Sequence, residues 1–229
     1  MPVSRPSVGR LILVPAVITL AVTLLRLVGE LSRWSPSLFN RAPGGPGALV
    51  GIVWLIPVFG IYFALRLARA GDRPPGVGRA LAWAGLAFVV AFALGAGSVV
   101  LFPTSPVTQL ALFTLVTWGA IAVARPGWPA LWRVLLAYGL AARIPVLIVM
   151  FLAIFRGWDS HYAKPRPDFP PMGPWGLFFW TAFLPQMSLW IFLTIVGGIL
   201  FGAIALGLRR LAGGGAPEGV PPAPVSAGP

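Results

Sequence analysis

The sequence predicts an all-α, polytopic membrane protein: a bundle of six transmembrane helices with kinked spans and an aromatic interfacial stretch before the last span. Three observations predict it. Hydrophobic residues make up 58% of the 229 residues and charged residues only 10%, against about 25% charged in a typical soluble domain. The apolar residues gather in runs long enough to cross a bilayer, which takes about 20 residues each. The charged residues sit almost entirely between those runs, where membrane topology puts them.

The six spans are read at residues 11–34, 48–67, 80–102, 106–124, 129–155 and 185–208, within a membrane domain over residues 1–211. The first follows Arg5 and Arg10 as a signal peptide would, but its apolar run is too long and no small-x-small cleavage site follows it, so it is read as a retained helix. The second follows the Pro/Gly-rich segment 35–47. The third carries Ala87, Ala91 and Gly95 at four-residue spacing. The fourth begins after the tight turn Pro103-Thr104-Ser105-Pro106, and the fifth contains Pro145 near its middle. The last apolar stretch starts at Trp175 and is longer than one span needs. Pro185 divides it, so residues 175–184 are read as an interfacial stretch and the rest as the span. Residues 212–229, with Glu218 the only acid, are read as a disordered Gly/Pro/Ala-rich tail.

Gly198 and Gly202 repeat the four-residue spacing of small residues in the sixth span. Such spacing lets helix backbones approach. Close packing inside the chain is the first expectation, and a homo-oligomer face the second. Pro15, Pro57, Pro145 and Pro185 are candidate kinks.

Arginine placement orients the bundle. One side holds Arg5, Arg10, Arg66, Arg69, Arg73, Arg79, Arg125, Arg133, Arg209 and Arg210; the other holds Arg33, Arg41, Arg156, Lys164 and Arg166. The richer side, with both termini, is expected in the cytoplasm. The Ala-, Gly-, Pro- and Arg-rich composition is that of a high-GC bacterial genome, so the expected location is a bacterial inner membrane. The formal net charge of +12 does not imply nucleic acid, because no nucleic-acid-binding motif holds the basic residues. The expected partners are membrane lipids, together with membrane proteins or a second copy of the chain.

No cysteine and a single histidine exclude disulfides, thiolate chemistry and multi-histidine haem or zinc sites within the chain. No cofactor or metal site is expected. There is no P-loop, dinucleotide fingerprint, GxSxG elbow or HExxH motif.

Function is therefore sought in the polar residues of the spans. Thr19, Thr23, Arg26, Glu30 and Arg33 fall within about 80° of one another on a helix. Glu30 is the only carboxylate inside a span, and a buried charge needs a partner. Arg26 lies four residues away and can pair with it, while Arg33 can snorkel to the interface. Arg143 has no acid within reach on its own helix. Its partner is expected to be Glu30, a backbone carbonyl, water or a ligand, with Glu30 the cross-helix counterpart. Gln109 and Gln186 complete the candidate network at the outer ends of their spans. Two arginines against one acid suit an anionic group.

The outer loop 156–174 offers Asp159 and His161 as a weak base–orienter pair, beside Ser160 and Tyr162. Trp158 and Tyr162 read as an interfacial lid. Arg66, Arg69, Arg73 and Arg79 form a basic cluster facing anionic lipid. Three classes of function follow, in order. The first is a structural or accessory membrane subunit fixed by a buried Arg/Glu network. The second is a small transporter or lipid-binding protein with an outward-facing site for an anionic group. The third is an interfacial enzyme using the outer loop.

Overall fold

The computed structural model describes residues 7–44 and 47–212. Arg5, and the tail from residue 213 with Glu218, lie outside the described residues. Among the described residues there is no strand, and the chain is an all-α bundle of polytopic membrane type. Its helices are α1 (Val8–Leu31), α2 (Leu55–Arg69), α3 (Val77–Leu101), α4 (Pro106–Ala124), α5 (Pro129–Arg156) and α6 (Pro174–Ala212). All except α2 are long and apolar enough to cross a bilayer.

α1 has the inside-out pattern of a lipid-facing helix. Thr19, Thr23, Arg26 and Glu30 are buried, whereas Leu13, Val14, Val17, Leu24 and Leu25 are exposed. In water this would waste the hydrophobic effect; in hydrocarbon it puts the polar groups where partners can satisfy them. Pro15 lies inside α1. Thr19 donates to the Pro15 carbonyl at 2.8 Å and meets the Tyr138 hydroxyl at 2.8 Å, tying α1 to α5.

α6 is the hub, packed against α2, α3, α4 and α5. The small residues explain how closely. A methyl group on Gly60 of α2 would come within 2.6 Å of the Gly198 Cα, and one on Gly202 within 2.7 Å of the Ala64 Cβ. Ala80, Ala84, Ala87 and Ala91 of α3 are fully buried, and Gly95 accommodates the Phe113 ring of α4. The small-residue stripes are thus used within the chain.

Two boundaries differ from the sequence expectation, and both shape the site. α2 begins at Leu55, so residues 48–54 form turns instead of helix. Its 15 residues span about 22 Å, short of a hydrocarbon core of about 30 Å. Gly47, at φ 75°, sets the turn that precedes this segment. In α6 the aromatic stretch is helical rather than merely interfacial. Residues Phe178–Phe183 wind as a π-helix, and the helix breaks at Ser188 rather than at Pro185. Pro185 cannot donate to the Thr181 carbonyl, and the wider π turn accommodates that loss. Ser188 donates its hydroxyl to the Leu184 carbonyl at 2.6 Å, and α6 resumes with the Phe192 amide on the Ser188 carbonyl.

Candidate functional site

At the end of the bundle that carries the 157–173 loop, a cavity of about 400 Å³ enters between the helices. α1 contributes Thr23 and Arg26, α5 contributes Arg143, Val146 and Met150, and α6 contributes Gln186 and Trp190. Leu110 and Phe113 of α4 form the far wall. Because α2 starts late, the non-helical segment with Gly51, Ile52 and Val53 closes another side. Loop residues His161, Tyr162, Lys164, Arg166 and Phe169 cover it.

Glu30 is 1% exposed and fully paired. The Arg26 Nε donates to its Oε1 at 2.9 Å, and the His161 Nδ1 lies 2.5 Å from the same oxygen. The His161 main-chain amide donates to Oε2 at 2.9 Å. The carboxylate therefore fastens the loop onto α1. Arg26 also reaches the Asn40 carbonyl at 3.4 Å. A methyl on Gly51 would approach Arg26 Nη1 within 3.1 Å, so the guanidinium is hemmed in by the 48–54 turns.

Arg143 does not meet Glu30, contrary to expectation. Glu30 is occupied by Arg26 and by His161, 131 residues away in sequence. Arg143 is only 3% exposed. It stacks on the Trp190 ring at 4.8 Å from the centroid and reaches the Gln186 Oε1 at 3.5 Å. Its Nε has no hydrogen-bond partner, and no carboxylate lies within ion-pair distance of it among the described residues. Arg143 lies 13 residues before the end of α5 at Arg156, so the cavity reaches about 20 Å into the bundle.

Gln186 belongs to the site; its Nε2 also meets the Met150 Sδ at 3.6 Å. Gln109 does not. It donates to the Phe102 carbonyl at 2.7 Å and fastens the α3–α4 turn, away from the cavity. Arg33 lies outside it too, beyond the end of α1.

The loop separates the expected pair. Asp159 is on the solvent side, bonded to Arg41 and, at 2.8 Å, to Lys164. Lys164 chiefly holds its carboxyl below the ordinary aspartate range, with Arg41 adding to the effect. His161 points inward to Glu30 instead. Burial pushes its pKa down, the Glu30 hydrogen bond pulls it up, and nearby Arg26 and Lys164 oppose protonation, so the net shift is downward. Their partners set the split: Glu30 holds His161 through both its ring and its amide, while Arg41 and Lys164 hold the exposed Asp159 at the surface. The Ser160 hydroxyl is buried without a hydrogen-bond partner among the described residues. Tyr162 donates to the Thr23 carbonyl at 3.4 Å, and burial raises the pKa of its hydroxyl. Trp158 is half-buried and packs with the Val146, Met150 and Ala182 cluster. Among the described residues no three His, Asp or Glu side chains gather as metal ligands would.

Sequence reasoning missed Trp190, Lys164, Arg166 and Gly51 as parts of the site. Nothing in the sequence distinguishes Trp190 from the other aromatic residues of the last apolar stretch. No protein family, curated protein or solved structure matches the chain.

Proposed function

We propose that this chain is a small lipid-binding or transport protein of a bacterial inner membrane, whose cavity opens outward and takes the anionic group of an amphiphile. The observation that carries the reading is Arg143: a guanidinium buried in the cavity wall, stacked on Trp190, with an unpartnered Nε and no carboxylate counter-ion among the described residues. A buried charge is expensive unless paired. An anionic phosphate or carboxylate would pair it and accept from its free N–H. The surroundings favour an amphiphile over a bare anion, because Val146, Leu110, Phe113 and Leu189 supply apolar wall around the cation. The outward orientation rests on the arginine-rich opposite end.

The test follows tryptophan fluorescence, with W190F as the control that assigns the signal to Trp190 among the ten tryptophans. Purified chain in a nonionic detergent is titrated with dodecyl phosphate, and tryptophan fluorescence is followed. Saturable quenching is expected with dodecyl phosphate and none with dodecyltrimethylammonium. R143Q should weaken binding roughly 10- to 100-fold, as loss of one charged hydrogen-bonded contact does. Equal responses to both amphiphiles, or an unaltered R143Q, would remove the proposal.

The Arg26–Glu30–His161 cluster favours a second reading, a structural or accessory subunit. It satisfies every member of a buried ion pair and needs no ligand. The two readings part at Arg143: a structural role makes R143Q a stability defect, a binding role makes it an affinity defect.

A further inference from the structure

The wall of the Arg143 cavity carries cations at two depths and no acid. Arg26, Lys164 and Arg166 line its outer part and Arg143 its inner part, and no Asp or Glu is among the described residues that line it. The outer cations are matched. Arg26 pairs with Glu30 at 2.9 Å, Lys164 with Asp159 at 2.8 Å and Arg166 with Asp168 at 2.6 Å. Those three carboxylates do not themselves line the cavity. Gln186 stands beside Arg143. Its Oε1 accepts from the Arg143 Nη1 at 3.5 Å, and its Nε2 meets the Met150 Sδ at 3.6 Å. A thioether is a weak acceptor, so this amide donor is only lightly engaged, on a side chain as buried as the cavity wall around it. With the unpartnered Arg143 Nε, it leaves two donors for an anion at this depth.

We propose that the cavity selects an anionic headgroup that carries no amine, and that Gln186 is the specificity-determining residue that joins Arg143 in holding it. The inference rests on the reading of this cavity as a site for an anionic amphiphile. An ammonium brought to Arg143 meets a wall with cations and no carboxylate, while Glu30, Asp159 and Asp168 are already paired. Like charges about 8 Å apart, in an effective dielectric of about 20, cost a factor of about 30 in affinity. Water does not relieve that cost, because Arg143 lies near the middle of α5 and is buried. An amide at position 186 is what keeps the demand for an anion. A carboxylate there would pair Arg143, satisfy the cation from within the chain and give an amine its missing partner.

The full chain, purified in a nonionic detergent, is titrated calorimetrically with three amphiphiles that share one myristoyl chain: lysophosphatidic acid, lysophosphatidylglycerol and lysophosphatidylethanolamine. The first two are anionic without an amine, and the third adds one. The amine-bearing lipid is expected to bind about 30-fold more weakly than lysophosphatidylglycerol. Equal affinities for those two overturn the amine exclusion and leave the anionic site standing. Absence of saturable binding by lysophosphatidic acid instead removes the underlying reading. Q186E should weaken lysophosphatidic acid roughly 10- to 100-fold and bring the other two lipids within about threefold of each other. Attraction to the overall charge predicts an unchanged ratio, because Q186E removes one unit from a net charge of +12; an unchanged ratio overturns the role of Gln186. Should Q186E not fold, Q186M carries that arm: a loss of roughly 10-fold for lysophosphatidic acid is expected, and an unaltered affinity removes Gln186 from the site.

Discussion

Glu30 shows how a single carboxylate can organise a membrane site. It accepts from Arg26 one turn away and from both the ring and the amide of His161. Removing one partner of a buried pair typically costs about 3–5 kcal/mol. E30Q is therefore expected to lower thermal stability by that order, and an R26Q/E30Q double mutant to cost less than the sum of the single variants, measured by thermal unfolding in detergent. Additive losses would mean the pair is not coupled. The Arg26–Glu30 contact was legible in the sequence because four-residue spacing on a helix brings side chains together. The His161 contact was not, because nothing local links residues so far apart, and that unseen partner left Arg143 without the acid expected for it. His161 also sets a pH dependence. Its folded pKa lies below the ordinary imidazole value, chiefly through burial. The folded chain thus binds fewer protons than the unfolded one as pH falls through about 6.5. Stability contributed by the neutral imidazole is present above that pH and is lost towards the lower folded pKa. Acidification through this window should lower the melting temperature, and H161Q should flatten the slope; a wild-type slope in H161Q would place the titration elsewhere.

The helices explain why a cavity exists at all. The apolar run 48–67 reads as a full span because hydropathy cannot tell helix from apolar turns. The chain instead spends residues 48–54 on turns, which close a side of the cavity and bring Gly51 against Arg26. The remaining spans were legible from their lengths, and the α6 break was foreshadowed by Pro185, displaced only to Ser188. The glycine contacts give a paired prediction. A methyl on Gly60 meets backbone of α6, whereas one on Gly119 meets nothing within 4 Å. G60A should destabilise the bundle by about 1–3 kcal/mol through overpacking. G119A should be neutral or stabilise it by up to about 1 kcal/mol through helix propensity. Unfolding of both variants in the same detergent checks the contrast; equal effects would contradict the close α2–α6 crossing.

The whole molecule is a bundle whose outer surface is apolar, with a cationic cavity entering at one end. Composition and the lengths of the apolar runs made the membrane class readable; the convergence of Arg143, Trp190 and Gln186 required the fold. A reporter fused after Arg210 should be cytoplasmic, and a periplasmic signal would invert the proposed orientation. Arg143 is proposed to receive an anionic headgroup. An experimental structure of the full chain bound to dodecyl phosphate tests this most directly. Phosphate density is expected within hydrogen-bonding distance of the Arg143 guanidinium, with the alkyl chain along Val146, Leu110 and Phe113. An empty cavity at saturating dodecyl phosphate, or Arg143 turned to pair with Glu30, would contradict it.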